Sequence, residues 1–166
     1  MLRLIVILLF GCAIAQAETL TGEVISIADG DTLTLLVDRA GEKTQVKIRL
    51  NAIDAPERAQ PFGNQAKLAL GEICFRKPAT ALITTSSDKY GRTVADVTCG
   101  YGNAAVNANE EMVTQGMAWV YRKYAPEVMY GRLYRGEQVA KESKRGLWSD
   151  PNPMNPQDWR DRKSVV

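Results

Sequence analysis

The sequence predicts an α+β protein: a small five-stranded β-barrel with flanking helices. Two observations predict it. Strand-like segments come in the order three, a helix, then two, and the remainder of the chain is helical in pattern. The folding part is also about 150 residues long, enough for one hydrophobic core and short for two.

The first 17 residues are set apart. A basic start at Met1-Leu2-Arg3, an apolar run from Leu4 to Phe10 and the small-x-small triplet Ala15-Gln16-Ala17 read as a secretory signal cleaved near Ala17. The run is far shorter than the ~20 residues that span a bilayer, so no membrane span is expected. A second reading takes Leu9-Phe10-Gly11-Cys12 as a lipoprotein box with Cys12 lipidated. Either way the protein is exported, to the periplasm or the medium.

The elements follow in order. Val24 to Ala28, Leu33 to Val37 and Val46 to Leu50 are strands, separated by turns at Asp29-Gly30-Asp31 and Arg39-Ala40-Gly41-Glu42. In the third strand Val46, Ile48 and Leu50 share one face and Lys47 and Arg49 the other. After Pro61, the spacing of Phe62, Ala66, Ala69 and Ile73 predicts a helix ending near Cys74. Ala81 to Thr85 and Val94 to Thr98 are two more strands around Asp88-Lys89-Tyr90-Gly91-Arg92. Asn107, with Glu110 three residues on, signals a helix start, and Gly116 its stop. A third helix runs from about Glu127 to Arg145 and stops at Gly146. This order suits a Greek-key barrel of the OB type, and by pattern alone it also allows other α+β arrangements. One domain is expected over residues 18–149, followed by a loosely held tail over 150–166, rich in Pro, Asn and charge.

Composition excludes whole classes of chemistry. The chain has no histidine, which removes Ser-His-Asp and Cys-His catalysis, histidine-ligated zinc and an imidazole base. Removing residues 1–17 takes away Arg3, leaving 20 Lys and Arg against 19 acids, so net charge says nothing about polyanions. From Arg122 onward bases outnumber acids, as a phosphate-holding surface or as a solvated helix face. Export leaves two cysteines, Cys74 and Cys99, which an oxidising compartment would pair or which would stay as separate buried thiols.

If the hairpin turn is centred near Gly41, positions summing to about 82 face each other. Asp31 then lies beside Asn51, near Arg49 and the loop Ile53-Asp54-Ala55-Pro56-Glu57. Gathering Asp31, Asp54 and Glu57 without a counter-charge is costly, and a hard cation would relieve it. Oxygen ligands favour calcium or magnesium over zinc, and calcium in an exported protein. Taken singly, Asp29-Gly30-Asp31 is an ordinary hairpin turn, Asp54-Ala55-Pro56-Glu57 an acidic turn and Asp88 to Arg92 a connection.

Together and in this order, however, Asp29-Gly30-Asp31-Thr32, Arg49-Leu50, Ile53-Asp54-Ala55-Pro56-Glu57 and Asp88-Lys89-Tyr90-Gly91-Arg92 resemble the signature of the staphylococcal nuclease (thermonuclease) family. The likeness continues through Val106-Asn107, Gln115-Gly116-Met117-Ala118 and Gly146-Leu147-Trp148.

The resemblance implies an OB-fold and a calcium-dependent nuclease that hydrolyses phosphodiesters of DNA and RNA, leaving 3′-phosphate ends. It implies Asp31, Asp54 and the Ala55 carbonyl as calcium ligands, Glu57 as general base, and Arg49 and Arg92 as the phosphate grip. Lys89, Tyr90 and Tyr124 fall beside the substrate. Where the family archetype has threonine this chain has Ala55, which keeps the carbonyl and loses a side-chain hydrogen bond. Stacking of bases on aromatic faces favours single strands and tolerates any sequence; a monomer is expected. The alternatives are a noncatalytic OB module that binds nucleic acid or protein, and a calcium-stabilised structural protein of the envelope.

Overall fold

A computed structural model describes residues 18–163; the segment read as a secretory signal, Cys12 included, lies outside the described residues. The chain runs β1 (Thr19–Ile27), β2 (Thr32–Arg39), β3 (Glu42–Leu50), β4 (Ile53–Asp54), α1 (Gly63–Cys74), β5 (Pro78–Thr85), β6 (Thr93–Cys99), β7 (Val106–Asn107), α2 (Ala108–Thr114), β8 (Trp119–Val120), α3 (Glu127–Glu142) and α4 (Pro156–Lys163). Strands pair in the order β3-β2-β1-β5-β6-β7. A parallel pairing of β3 with β6 then closes five of them into a barrel, as the OB-type reading anticipates.

Period-two alternation fills the interior. Val24, Leu33, Leu35, Ile48, Leu50, Ala81, Ala95 and Val97 point inward and are buried, while Arg49 stands on the opposite face from Ile48 and Leu50. Ala66 and Leu70 of α1 and Met112 and Val113 of α2 pack against the same core. A disulfide joins Cys74, at the end of α1, to Cys99, at the end of β6, with Cα atoms 5.2 Å apart. The helix therefore cannot drift from the barrel end it covers. Among the described residues no helix is long and apolar enough to cross a membrane.

Three local expectations are corrected. The β2–β3 hairpin pairs Arg39 with Glu42 and Thr32 with Arg49, so facing positions sum to 81, and Asp31 opposes Leu50 rather than Asn51. The cause is a two-residue turn in which Ala40 and Gly41 both adopt positive φ, 55° and 90°, the backbone that matches strand twist. Helix α3 stops at Glu142, short of Arg145: Lys144 takes the left-handed position (φ 51°), its N–H donates to the Lys141 carbonyl, and the Arg145 N–H donates to the Ala140 carbonyl. Third, the described part of the tail, 150–163, is not loose. Gln60 Nε2 donates to the Met154 carbonyl at 2.7 Å, Tyr121 Oη to Gln157 Oε1 at 3.2 Å, and α4 lies against the acidic loop after β4.

Candidate active site

The site is assembled at one end of the barrel by strand register. Pairing of Thr32 with Arg49 and donation from the Leu50 N–H to the Asp31 carbonyl at 2.8 Å set Asp31 beside the base of the Arg49 side chain. Short strand β4 carries Asp54 and is held by β8, where Asp54 pairs with Trp119. Parallel pairing of Arg49 with Val94 brings the start of β6, and with it Arg92, to the same end. The Asp29–Asp31 turn fits closely under the Asp54–Glu57 loop. A Cβ on Gly30 would lie 2.7 Å from the Ala55 Cβ and 2.6 Å from the Ala66 Cβ, so glycine is required there.

Arg49 lies between two carboxylates. Its Nη2 is 3.4 Å from Asp31 Oδ2 and 3.2 Å from Asp54 Oδ1, with the Arg49 side chain 12% and the Asp54 side chain 3% exposed. The Ala55 N–H donates to Asp31 Oδ2 at 3.3 Å, tying the two loops together. On the other side, the Thr32 hydroxyl donates to Asp31 Oδ1 at 2.8 Å and accepts from Arg92 Nη1 at 3.2 Å. Arg92 is oriented by Asp88, whose Oδ2 accepts from Nε at 2.9 Å and lies 2.8 Å from Nη2. Arg92, Thr32, Asp31, Arg49 and Asp54 thus form one continuous polar chain.

The remaining expected residues border this chain. Tyr90 is 69% exposed, with the Lys89 ammonium 4.9 Å and the Arg92 guanidinium 5.3 Å from its ring centre. Tyr124, also exposed, meets Tyr121 edge-on at 4.9 Å, and Tyr121 in turn lies 5.6 Å from the Arg49 guanidinium. Tyr124 therefore reaches the arginine only through Tyr121. The Glu57 side chain is 43% exposed, and its Oε1 accepts from Arg160 Nη1 at 2.7 Å. Arg160 Nη2 also lies 2.7 Å from Asp54 Oδ2. Sequence reading had placed Arg160 only among the bases of the C-terminal third, because nothing in its spacing from Asp54, 106 positions earlier, marks the contact. Thr32 likewise has no role in the sequence reading, and around Tyr121 the family match is less clear.

Charge is concentrated here. Burial, reinforced by Asp31, pushes the Asp54 carboxyl upward against the opposing pull of Arg160 and Arg49. Asp29 is pushed up to about 6 by burial and then by the Asp31 charge. Arg160 goes the other way: burial works against its charge, but the bonds to Asp54 and Glu57 outweigh it and hold the proton more firmly than in a free arginine.

The donor set fits a hard divalent cation. Asp31 and Asp54 present anionic oxygens toward one point, where the Arg49 guanidinium already bridges them, and no soft ligand is nearby. No three acidic, thiol or imidazole groups converge among the described residues. A cation held here would therefore complete its shell from backbone carbonyl, phosphate and water oxygens, which calcium accepts readily.

Comparisons with known proteins point the same way. A family model described as "Staphylococcal nuclease homologue" matches residues 47–150. The chain is 39% identical over 144 residues to the "Micrococcal nuclease" of Shigella flexneri, covering 84% of this chain and 79% of that protein. It is 42% identical over 155 residues to "Protein ParB" of Escherichia coli, covering 88% and 81%. An "Uncharacterized endonuclease" of Haemophilus influenzae is 39% identical over 148 residues, covering 89% and 77%.

Proposed function

The chain belongs to the staphylococcal nuclease family and is a nuclease, a phosphodiesterase; we propose that it is exported, calcium-dependent, and cuts DNA and RNA to leave 3′-phosphate ends. The observation that carries this reading is the polar chain from Arg92 through Thr32, Asp31 and Arg49 to Asp54, with Glu57 at its edge. It offers what phosphodiester hydrolysis needs without histidine.

Each group has a task in this reading. Asp31, Asp54 and the Ala55 carbonyl would hold calcium, which when bound supplies charge neutralisation at the phosphate and helps to orient water. Glu57 is the general base: its exposure lets a water approach while its backbone stays fixed by the Gln60 side chain, Oε1 accepting from the Glu57 N–H at 3.1 Å. Arg49 and Arg92 meet the phosphate oxygens as planar, permanently charged forks. Both are pre-aimed, Arg49 by two carboxylates and Arg92 by Asp88, so little ordering is left to do as charge develops in the transition state.

Exposed Tyr90 and Tyr124 offer faces on which unpaired bases stack, with Lys89 beside the backbone; this supports single-stranded substrates and broad sequence tolerance. The Cys74–Cys99 bridge accords with an oxidising compartment and so with export. A monomer suffices, since every group named comes from one chain.

Digestion of denatured DNA and of RNA by the chain from Glu18 onward, with calcium and with excess chelator, tests the reading alongside Glu57→Gln. Calcium-dependent cleavage to 3′-phosphate ends, lost in the variant, is expected. A folded protein that retains strands but leaves them intact would establish the noncatalytic module instead.

A further inference from the structure

The side chain of Arg160 stands where the proposed chemistry needs open carboxylates. Asp54 Oδ2 lies 2.7 Å from Arg160 Nη2, Asp54 Oδ1 accepts from Nη1 at 3.3 Å, and Glu57 Oε1 from Nη1 at 2.7 Å. The one guanidinium therefore covers both oxygens of a metal ligand and one oxygen of the general base. Arg49 adds a second positive charge to Asp54 Oδ1 at 3.2 Å. A divalent cation taking Asp54 cannot share its oxygens with both guanidinium groups at these distances, since like charges so close repel strongly in a partly buried site. Arg49 is fixed in barrel strand β3 with Asp31 as its second partner, whereas Arg160, whose second partner is the partly exposed Glu57, stands on α4 and is the group placed to leave.

The segment bearing Arg160 is docked as a unit. Pro153, Met154 and Trp159 line a cavity of about 90 Å³ together with Pro56, Phe62 and Trp119, next to the loop that carries Glu57. Gln60 holds Met154 and Tyr121 holds Gln157, whose Oε1 also accepts from Arg160 Nη2 at 3.3 Å. Among the described residues none of 153–163 belongs to the barrel's core cluster, and α4 has only eight residues. Such an element opens at low cost compared with the barrel.

Resting on the calcium reading above, we propose that Arg160 is an internal cation that competes with calcium for Asp54 and holds Glu57 until the metal displaces it, so that α4 is a latch setting the calcium concentration at which the site opens. Reciprocity follows: whatever loosens α4 tightens calcium binding, and calcium loosens α4.

The test is calorimetric calcium titration of the whole exported chain and of Arg160→Gln and Arg162→Ala, in metal-free buffer, with hydrogen exchange of residues 156–163 read with and without calcium. Arg162 is exposed on the same helix, so its removal subtracts the same charge without the contact. Arg160→Gln should bind calcium at least about tenfold tighter, Arg162→Ala within about twofold of the parent. In the parent, calcium should speed exchange in 156–163. Equal or weaker binding by Arg160→Gln, an equal gain in Arg162→Ala, or slower exchange with calcium would each overturn the latch. Failure of the calcium reading has its own signature: a folded parent and Arg160→Gln that both take up no calcium, which sinks the latch with it.

Discussion

Arg92 donates to the hydroxyl of Thr32 across sixty positions of sequence, and that hydroxyl in turn donates to Asp31. One small side chain thereby couples the proposed phosphate grip to the proposed metal ligand. Thr32→Val keeps the strand-favouring, β-branched shape and removes both bonds. The expected result is a fall of about tenfold in kcat/KM with an unchanged melting temperature and weaker calcium binding. Unaltered calcium affinity would show that the hydroxyl orients Arg92 alone.

Arg92 itself is held by Asp88, whose carboxyl sits below its usual range: desolvation pushes it up, but the backbone and side-chain bonds from Arg92 outweigh that. A guanidinium so anchored serves the transition state better than the ground state. Arg92→Ala should lower kcat by at least about a hundredfold and move KM much less, by steady-state kinetics on a short oligonucleotide. A change confined to KM would reassign Arg92 to ground-state binding.

Local periodicity made the strands and helix starts legible in the sequence, while the site residues were picked out by the motifs that carry the family resemblance. Alternation in β3 separates Arg49 from Ile48 and Leu50, and the Asn107 signal is met by its side chain accepting from the Glu110 N–H at 2.9 Å. What escaped depends on geometry that single residues do not encode. An alanine with positive φ moved the hairpin register by one, and a lysine rather than Gly146 ended α3. Arg160 escaped for the same reason, since a contact across 106 positions follows from docking of the tail and leaves no pattern in spacing.

The Cys74–Cys99 bridge closes a loop of 25 residues between α1 and β6. Loop-closure entropy of that size is worth about 3 kcal/mol in the chain-entropy view. Reduction, or the Cys74→Ala/Cys99→Ala pair, should lower the melting temperature by about 10 °C. Identical melting with and without reductant would show that the barrel holds α1 unaided.

Glu137 is almost fully buried, accepting from the Val120 N–H at 2.9 Å and from Lys141 Nζ at 2.8 Å, with Arg122 on the same carboxylate. Burial raises its pKa, but the bonds from Arg122, Lys141 and Val120 outweigh burial and hold it below the ordinary 4.5. A carboxyl depressed in the folded state contributes stability that is fully present above its unfolded value and is lost as pH falls through the folded one. Melting temperature should therefore fall on acidification below about 4.5, and Glu137→Gln should flatten that limb. At neutral pH the same variant should cost about 2 kcal/mol, because both cations are partly exposed and recover solvation. An acid limb of unchanged steepness would assign the loss to other carboxylates.

Gly146 does not end α3; it lets two backbones touch. With φ at +54°, its missing Cβ would lie 2.3 Å from the Gly116 carbonyl oxygen, and a Cβ on Gly116, φ +70°, would lie 2.2 Å from the Arg145 carbonyl oxygen. The Leu147 N–H donates to that Gly116 carbonyl at 2.9 Å, and Trp148 beyond it packs edge-on against Trp119, the neighbour of Asp54 in β8. The glycine pair is thus the joint through which the segment after α3 supports the strand that holds a proposed metal ligand. Gly146→Ala meets both a strained φ and rigid backbone, so a loss of more than about 2 kcal/mol is expected in urea unfolding. Gly71→Ala, in α1 with open space around its Cβ position, should be neutral or slightly stabilising. Equal effects of the two substitutions would remove the joint from the account of how Asp54 is held.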